Sequence, residues 1–185
     1  MEMPTIQGIR LMVADRASGL CIILLVMFAA LSLMDLSRIT VYSAPLLLLA
    51  ACVTVAAYVF FCRLLLRQNA STMLRSLPYS FIGQMLWVVT LLVILISLSD
   101  GAHGVEYIVL YCAASIAGML PFSVGGLGIK EMTYFYGATL IQRFTGAAVD
   151  GDLAISLSLC LFSMTFIGSL PGLLWLSKVG KMRHE

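Results

Sequence analysis

Read from its amino terminus, the chain is a succession of long apolar runs separated by short polar stretches. Four runs stand out: Ala17–Met34, Tyr42–Phe61, Ser80–Leu98 and Leu153–Leu176. Within them apolar residues follow one another without the alternation that a membrane β-strand needs over about ten positions. Each approaches or exceeds the roughly 18–20 residues that carry an α-helix across about 30 Å of hydrocarbon. A helix also satisfies every backbone group within its own segment, as lipid demands. The pattern predicts four transmembrane helices.

Two shorter apolar segments, Glu106–Leu120 and Met132–Phe144, lie between the third and fourth spans. The first, as a helix, reaches only about 22 Å. Pro121 and the run "GGLG" separate them. They predict a re-entrant pair of half-helices, a hairpin that enters the membrane and turns back at or below its middle. A hairpin that crossed completely would leave the tail on the same side, so charge alone does not decide between the two.

Composition agrees with the pattern. The 185 residues are 61% apolar and 11% charged, against roughly a quarter charged in soluble domains. The expected fold is all-α: one polytopic helical membrane domain over residues 1–185. A net charge of +2 with no basic, aromatic-interleaved stripe excludes nucleic acid as a partner. The five cysteines (Cys21, Cys52, Cys62, Cys112 and Cys160) form no C-x-x-C pair and read as small apolar fillers. The opening "MEMPTIQGIR" lacks a signal-peptide layout.

Lys and Arg set the orientation. Arg10 and Arg16 precede the first span, Arg63, Arg67 and Arg75 follow the second, and Lys178, Lys181 and Arg183 follow the last. The loop between the first two spans carries Arg38 alone, and "SDGAHGVE" after the third carries no Lys or Arg, while Asp35, Asp100, Glu106, Asp150 and Asp152 fall on that opposite side. The positive-inside rule then puts both termini in the cytoplasm. "RLLLRQNASTMLRSLP" reads equally as a surface amphipathic helix or a solvated connector.

The chemistry concentrates in "LPFSVGGLGIKEMTYFY", Leu120–Tyr136. Pro121 ends the first half-helix, and Gly125, Gly126 and Gly128 allow a close backbone approach. Lys130 and Glu131 would each cost about 2.5–3.5 kcal/mol at the bilayer centre, so a polar pocket within the membrane would explain them. There, backbone N–H groups and Lys130 would meet an anionic group such as a lipid phosphate, and Glu131 would offset the lysine or bind a cationic headgroup. The alternative is a glycine-rich surface loop with both charges solvated. Asp15 and Arg16 read either as a local interfacial ion pair or as part of the pocket's cytoplasmic mouth. Gln84 reads as a helix-to-helix hydrogen bond, and "GSLPG", Gly168–Gly172, as a close-packing seam. No catalytic, metal or nucleotide-binding motif occurs, so neither an enzyme nor a cofactor is expected.

Three stretches together resemble one family. "LPFSVGGLGIKE" is similar to its hallmark, "VADRASGL" (Val13–Leu20) to its acidic-Arg segment, and "AISLSLCLF" (Ala154–Phe162) to its Ala-hydrophobic-Ser-Leu segment. The family is the lysylphosphatidylglycerol synthetase transmembrane-region, or flippase-like, group of bacterial and archaeal membrane proteins. The resemblance implies a lipid translocator in the bacterial inner membrane, handling an aminoacylated phospholipid, a glycolipid or a polyprenyl-linked lipid. By motif position it implies headgroup contacts from Pro121, Ser123, Gly125, Gly126, Gly128, Lys130, Glu131, Asp15 and Arg16. Lys130 stands where arginine is usual, which keeps the charge and loses the bidentate fork. Ordinary members carry more helices ahead of the acidic-Arg segment, so the resemblance covers their C-terminal part. A late start, a fragment, a second copy or a partner subunit would account for that. The soluble aminoacyl-transfer domain of some relatives is absent from the sequence. The rival expectation is an accessory scaffold for a membrane glycosyltransferase or lipid synthase.

Overall fold

The apolar runs fold as helices that extend beyond the runs themselves. The computed structural model describes residues 5–34, 43–65, 77–99, 101–119 and 128–182, with 5–12, 43–44, 65 and 171–182 as backbone alone. Among these residues there are six helices and no strand: α1 Thr5–Leu33, α2 Ser43–Leu65, α3 Leu77–Leu98, α4 Gly104–Gly118, α5 Ile129–Thr145 and α6 Gly151–Met182. Helices α1, α2, α3 and α6 contain the stretches Val13–Leu33, Pro45–Leu64, Leu77–Leu98 and Gly151–Leu170, each long and apolar enough to cross a membrane. At 15 and 17 residues, α4 and α5 are shorter and reach about 22–26 Å. The architecture is that of a polytopic helical membrane protein.

Helix ends depart from the apolar runs where polar residues continue the helix. Asp15 and Arg16 lie inside α1, which begins at Thr5 ahead of the expected Ala17. Arg63 is in the last turn of α2, where its charge meets the negative end of the helix dipole. The remainder of the basic connector, 66–76, falls outside the described residues. Lys130 and Glu131 belong to the first turn of α5.

α1 is the central helix, in contact with α2, α3 and α4, while α4 pairs with α5, α5 with α6, and α6 returns to α3. The core between them includes Leu91, Leu95, Tyr107, Leu110, Tyr134 and Leu157. Small residues set the spacing, as expected where lipid supplies no hydrophobic drive between helices. A Cβ on Gly137 would sit 2.5 Å from Leu110 Cδ2, so α4 and α5 touch through that glycine. Large apolar side chains cover the outside, Leu48 of α2 at 71% exposure and Leu86 of α3 at 62%. In hydrocarbon they need no protein partner.

A second, smaller cluster joins Ala14 and Cys21 of α1 to Tyr58 and Cys62 of α2 and Leu77 of α3. The start of α1, the end of α2 and the start of α3 therefore share one end of the bundle. There the hydroxyl of fully buried Ser18 donates to the Asp15 carbonyl at 2.8 Å and lies 2.9 Å from Ser80 Oγ. Since Ser18 has one proton to give, Ser80 is the donor in that second bond.

The depth of the hairpin follows from its side contacts. A Cβ on Gly104 would meet Leu92 Cδ2 at 3.3 Å, and Tyr111 Oη donates to Gln84 Oε1 at 3.3 Å. α4 thus runs antiparallel to α3, starting inward of its end. Continuing by the same number of residues brings Gly118 level with Leu77, at about 1.5 Å per residue. The last turn of α4, at Gly118, accordingly lies near the start of α3, not midway along it. The elbow itself, 120–127, lies outside the described residues.

α6 begins with Gly151 against Phe135 of α5, where a Cβ would be 3.4 Å from Phe135 Cδ2. Asp150 caps it, its Oδ1 accepting the Asp152 N–H at 2.9 Å, and the Asp150 carbonyl accepts from Tyr107 Oη at 3.3 Å. Gly168 meets nothing within 4 Å of a Cβ position, so no described helix packs closely against that glycine.

Candidate functional site

Where the α4–α5 hairpin meets α1, α3 and α6 there is a cleft of about 300 Å³. α1 contributes Arg16 and α5 contributes Lys130. Their side chains are exposed and half-buried respectively. Further along the walls come Gln84 and Trp87 from α3, Tyr111 and Ser115 from α4, and Tyr134 from α5. α6 closes the cleft with Ser158, Phe162 and Thr165.

Lys130 reaches this position by lying over Gly118. A Cβ there would be 2.6 Å from Lys130 Cε and 3.5 Å from its Cγ. Neither Arg16 nor Lys130 has an ion-pair partner among the described residues. The single pair present is His103 Nδ1 with Glu106 Oε1, at 3.7 Å. Asp15, adjacent to Arg16, makes no ion pair with it and does not line the cleft.

Glu131 has a different task from its neighbour. Its Oε2 accepts the Gly128 N–H at 2.6 Å, and its Oε1 accepts from Ser158 Oγ at 3.3 Å. The first bond satisfies one of the donors left free at the start of α5; Gly128, at φ 84°, enters the helix from a conformation that favours glycine. The second ties that helix start to α6. The carboxylate is thus engaged with protein donors, and the residues lining the cleft include no acid.

The expected residues therefore separate. Arg16 and Lys130 line one cleft, Glu131 and Asp15 do not, and Gly128 forms the exposed entry to α5. Pro121, Ser123, Gly125 and Gly126 lie outside the described residues. Gln84 does bond a neighbouring helix, as its position in an apolar run suggests, and it lines the cleft as well.

Tyr111, Ser115, Tyr134 and Ser158 are cleft residues that sequence reading missed. The available signal was helical spacing: Lys130 with Tyr134, and Tyr111 with Ser115, are each four apart and share a helix face. Tyr134 is 2% exposed, and its hydroxyl has no hydrogen-bond partner among the described residues. That is costly in a protein interior. All five cysteines are free thiols, and among the described residues no group of three His, Cys, Asp or Glu side chains is placed to hold a metal.

Four span-length apolar helices, three of which line a cationic cleft, define a multi-pass integral membrane protein. No family model, curated protein or solved structure matches the chain.

Proposed function

We propose that this protein binds the phosphate of a membrane lipid in the cleft and carries that headgroup between leaflets. The observation that carries this reading is the convergence of Arg16 and Lys130, unpaired among the described residues, on one cleft of about 300 Å³ within an apolar bundle. Two cations lining one cleft without an acid make it attractive to an anion, because their fields add there. The surrounding apolar surface leaves the acyl chains in lipid while the headgroup enters. The resemblance of "LPFSVGGLGIKE" and "VADRASGL" to the flippase-like family supports the same reading, since both cations fall within those motifs.

On this reading the chain resides in a bacterial plasma membrane. The cleft shares the end of the bundle that holds the starts of α1 and α3 and the end of α2, with Arg63 close by. The positive-inside rule turns that end toward the cytoplasm, so the cleft loads from the inner leaflet.

The test is transbilayer movement of fluorescent phosphatidylglycerol in vesicles reconstituted with the full chain, read by reduction of the outer-leaflet dye. Wild type accelerates exchange over protein-free vesicles, and Arg16→Ala and Lys130→Ala each slow it about tenfold or more at equal incorporation. Exchange no faster than in empty vesicles overturns translocation. Exchange unaffected by both substitutions overturns the cleft as its route. Co-purification with a transferase, without exchange, would point to a scaffold.

A further inference from the structure

The cleft runs from exposed Arg16 and half-buried Lys130 inward to the buried Tyr134. Lys130 and Tyr134 are one helical turn apart on the same face of α5, about 5–6 Å along the axis. Tyr134 and Gln84 both line the inner wall; the Tyr134 hydroxyl is buried with no partner among the described residues, and the Gln84 Oε1 already accepts from Tyr111. The wall offers no carboxylate, because Glu131 is engaged by Gly128 and Ser158.

Resting on the phosphate reading above, we propose that the inner cleft seats the uncharged, hydroxyl-bearing part of an anionic headgroup, a glycerol or sugar esterified to the phosphate, and that Tyr134 recognises it. A phosphate at Lys130 directs its polyol substituent one turn inward, to the level of Tyr134. The phenol can donate to or accept from a ligand hydroxyl, which relieves its unsatisfied burial. An ammonium headgroup finds no acid there and faces two fixed cations at the mouth, so zwitterionic lipids are disfavoured. The selectivity is for polyol over ammonium.

The test is competitive binding to the detergent-solubilised full chain, read by native mass spectrometry with three lipids of matched acyl chains. Phosphatidylglycerol has the anionic phosphate and hydroxyls, phosphatidylmethanol has the same charge without hydroxyls, and phosphatidylethanolamine carries an ammonium. Wild type is expected to prefer phosphatidylglycerol to phosphatidylmethanol about three- to tenfold, the worth of one hydrogen bond, and to bind phosphatidylethanolamine weakest. Tyr134→Phe keeps the ring in the core and should remove that preference while leaving phosphatidylmethanol binding unchanged. Equal binding of the two anionic lipids by wild type, or a preference that survives Tyr134→Phe, overturns the polyol subsite and leaves the phosphate reading standing. Anionic lipids binding no better than phosphatidylethanolamine, with Arg16→Gln and Lys130→Gln without effect, overturns both.

Discussion

The side chain of Lys130 lies across Gly118, so closely that a methyl group there would stand 2.6 Å from Lys130 Cε. The glycine at the end of α4 is the floor along which the lysine travels into the cleft. Since the atom in the way is the far end of a flexible side chain, Gly118→Ala should fold normally with its lysine pushed aside. We expect an unchanged Tm and a several-fold loss of phosphatidylglycerol binding, measured on the same preparation. Full binding by this variant would show that the lysine's path is not confined.

Glu131 and Ser158 form the clamp between α5 and α6. Glu131→Gln weakens a charge-assisted bond to Gly128 and should cost about 1–3 kcal/mol; Ser158→Ala should cost about 0.5–1.5 kcal/mol. Because the two residues touch, the double variant should lose less than the sum of the two. Unfolding in mixed micelles by increasing SDS measures all three. Additive losses would mean that the two residues act independently.

Gly137→Ala probes the α4–α5 contact. Alanine gains about 1 kcal/mol of helix propensity, but its methyl would sit 2.5 Å from Leu110 Cδ2, in a side chain only 1% exposed. Overpacking of this kind costs about 1–3 kcal/mol, so a net destabilisation of about 1 kcal/mol is expected in the same unfolding assay. A more stable variant would show that Leu110 has room to move.

The 2.9 Å between Ser18 Oγ and Ser80 Oγ fixes the register of α1 against α3. With the five native cysteines replaced, Ser18→Cys with Ser80→Cys should form a disulfide under mild oxidation. A protease site inserted between Arg67 and Arg75 makes the result visible. The two fragments should remain joined until reduced, whereas a pair with Ser80 moved to Ile82 should not.

The four spans were legible because continuous apolar runs of that length have few other uses, and Lys130 and Arg16 stood out because they are among the few charges directly flanking such runs. The cleft's inner wall was not legible. Gln84, Tyr111 and Tyr134 come from three different helices, and each alone reads as ordinary packing. Glu131 looked like Lys130's counterion because the two are adjacent in sequence. Helical geometry turns neighbours about 100° apart, and the carboxylate finds Ser158 on another helix instead. The level at which α4 ends was also hidden, since it depends on where α4 starts against α3 and not on α4's own length.

α6 continues to Met182, 32 residues in all, beyond the apolar run that ends at Leu176. At about 1.5 Å per residue the whole helix measures about 48 Å, against about 30 Å of hydrocarbon. One rod therefore forms a wall of the cleft through Ser158, Phe162 and Thr165 and is longer than the hydrocarbon is thick. A helix longer than the slab it crosses tilts or carries its last turns out of the hydrocarbon.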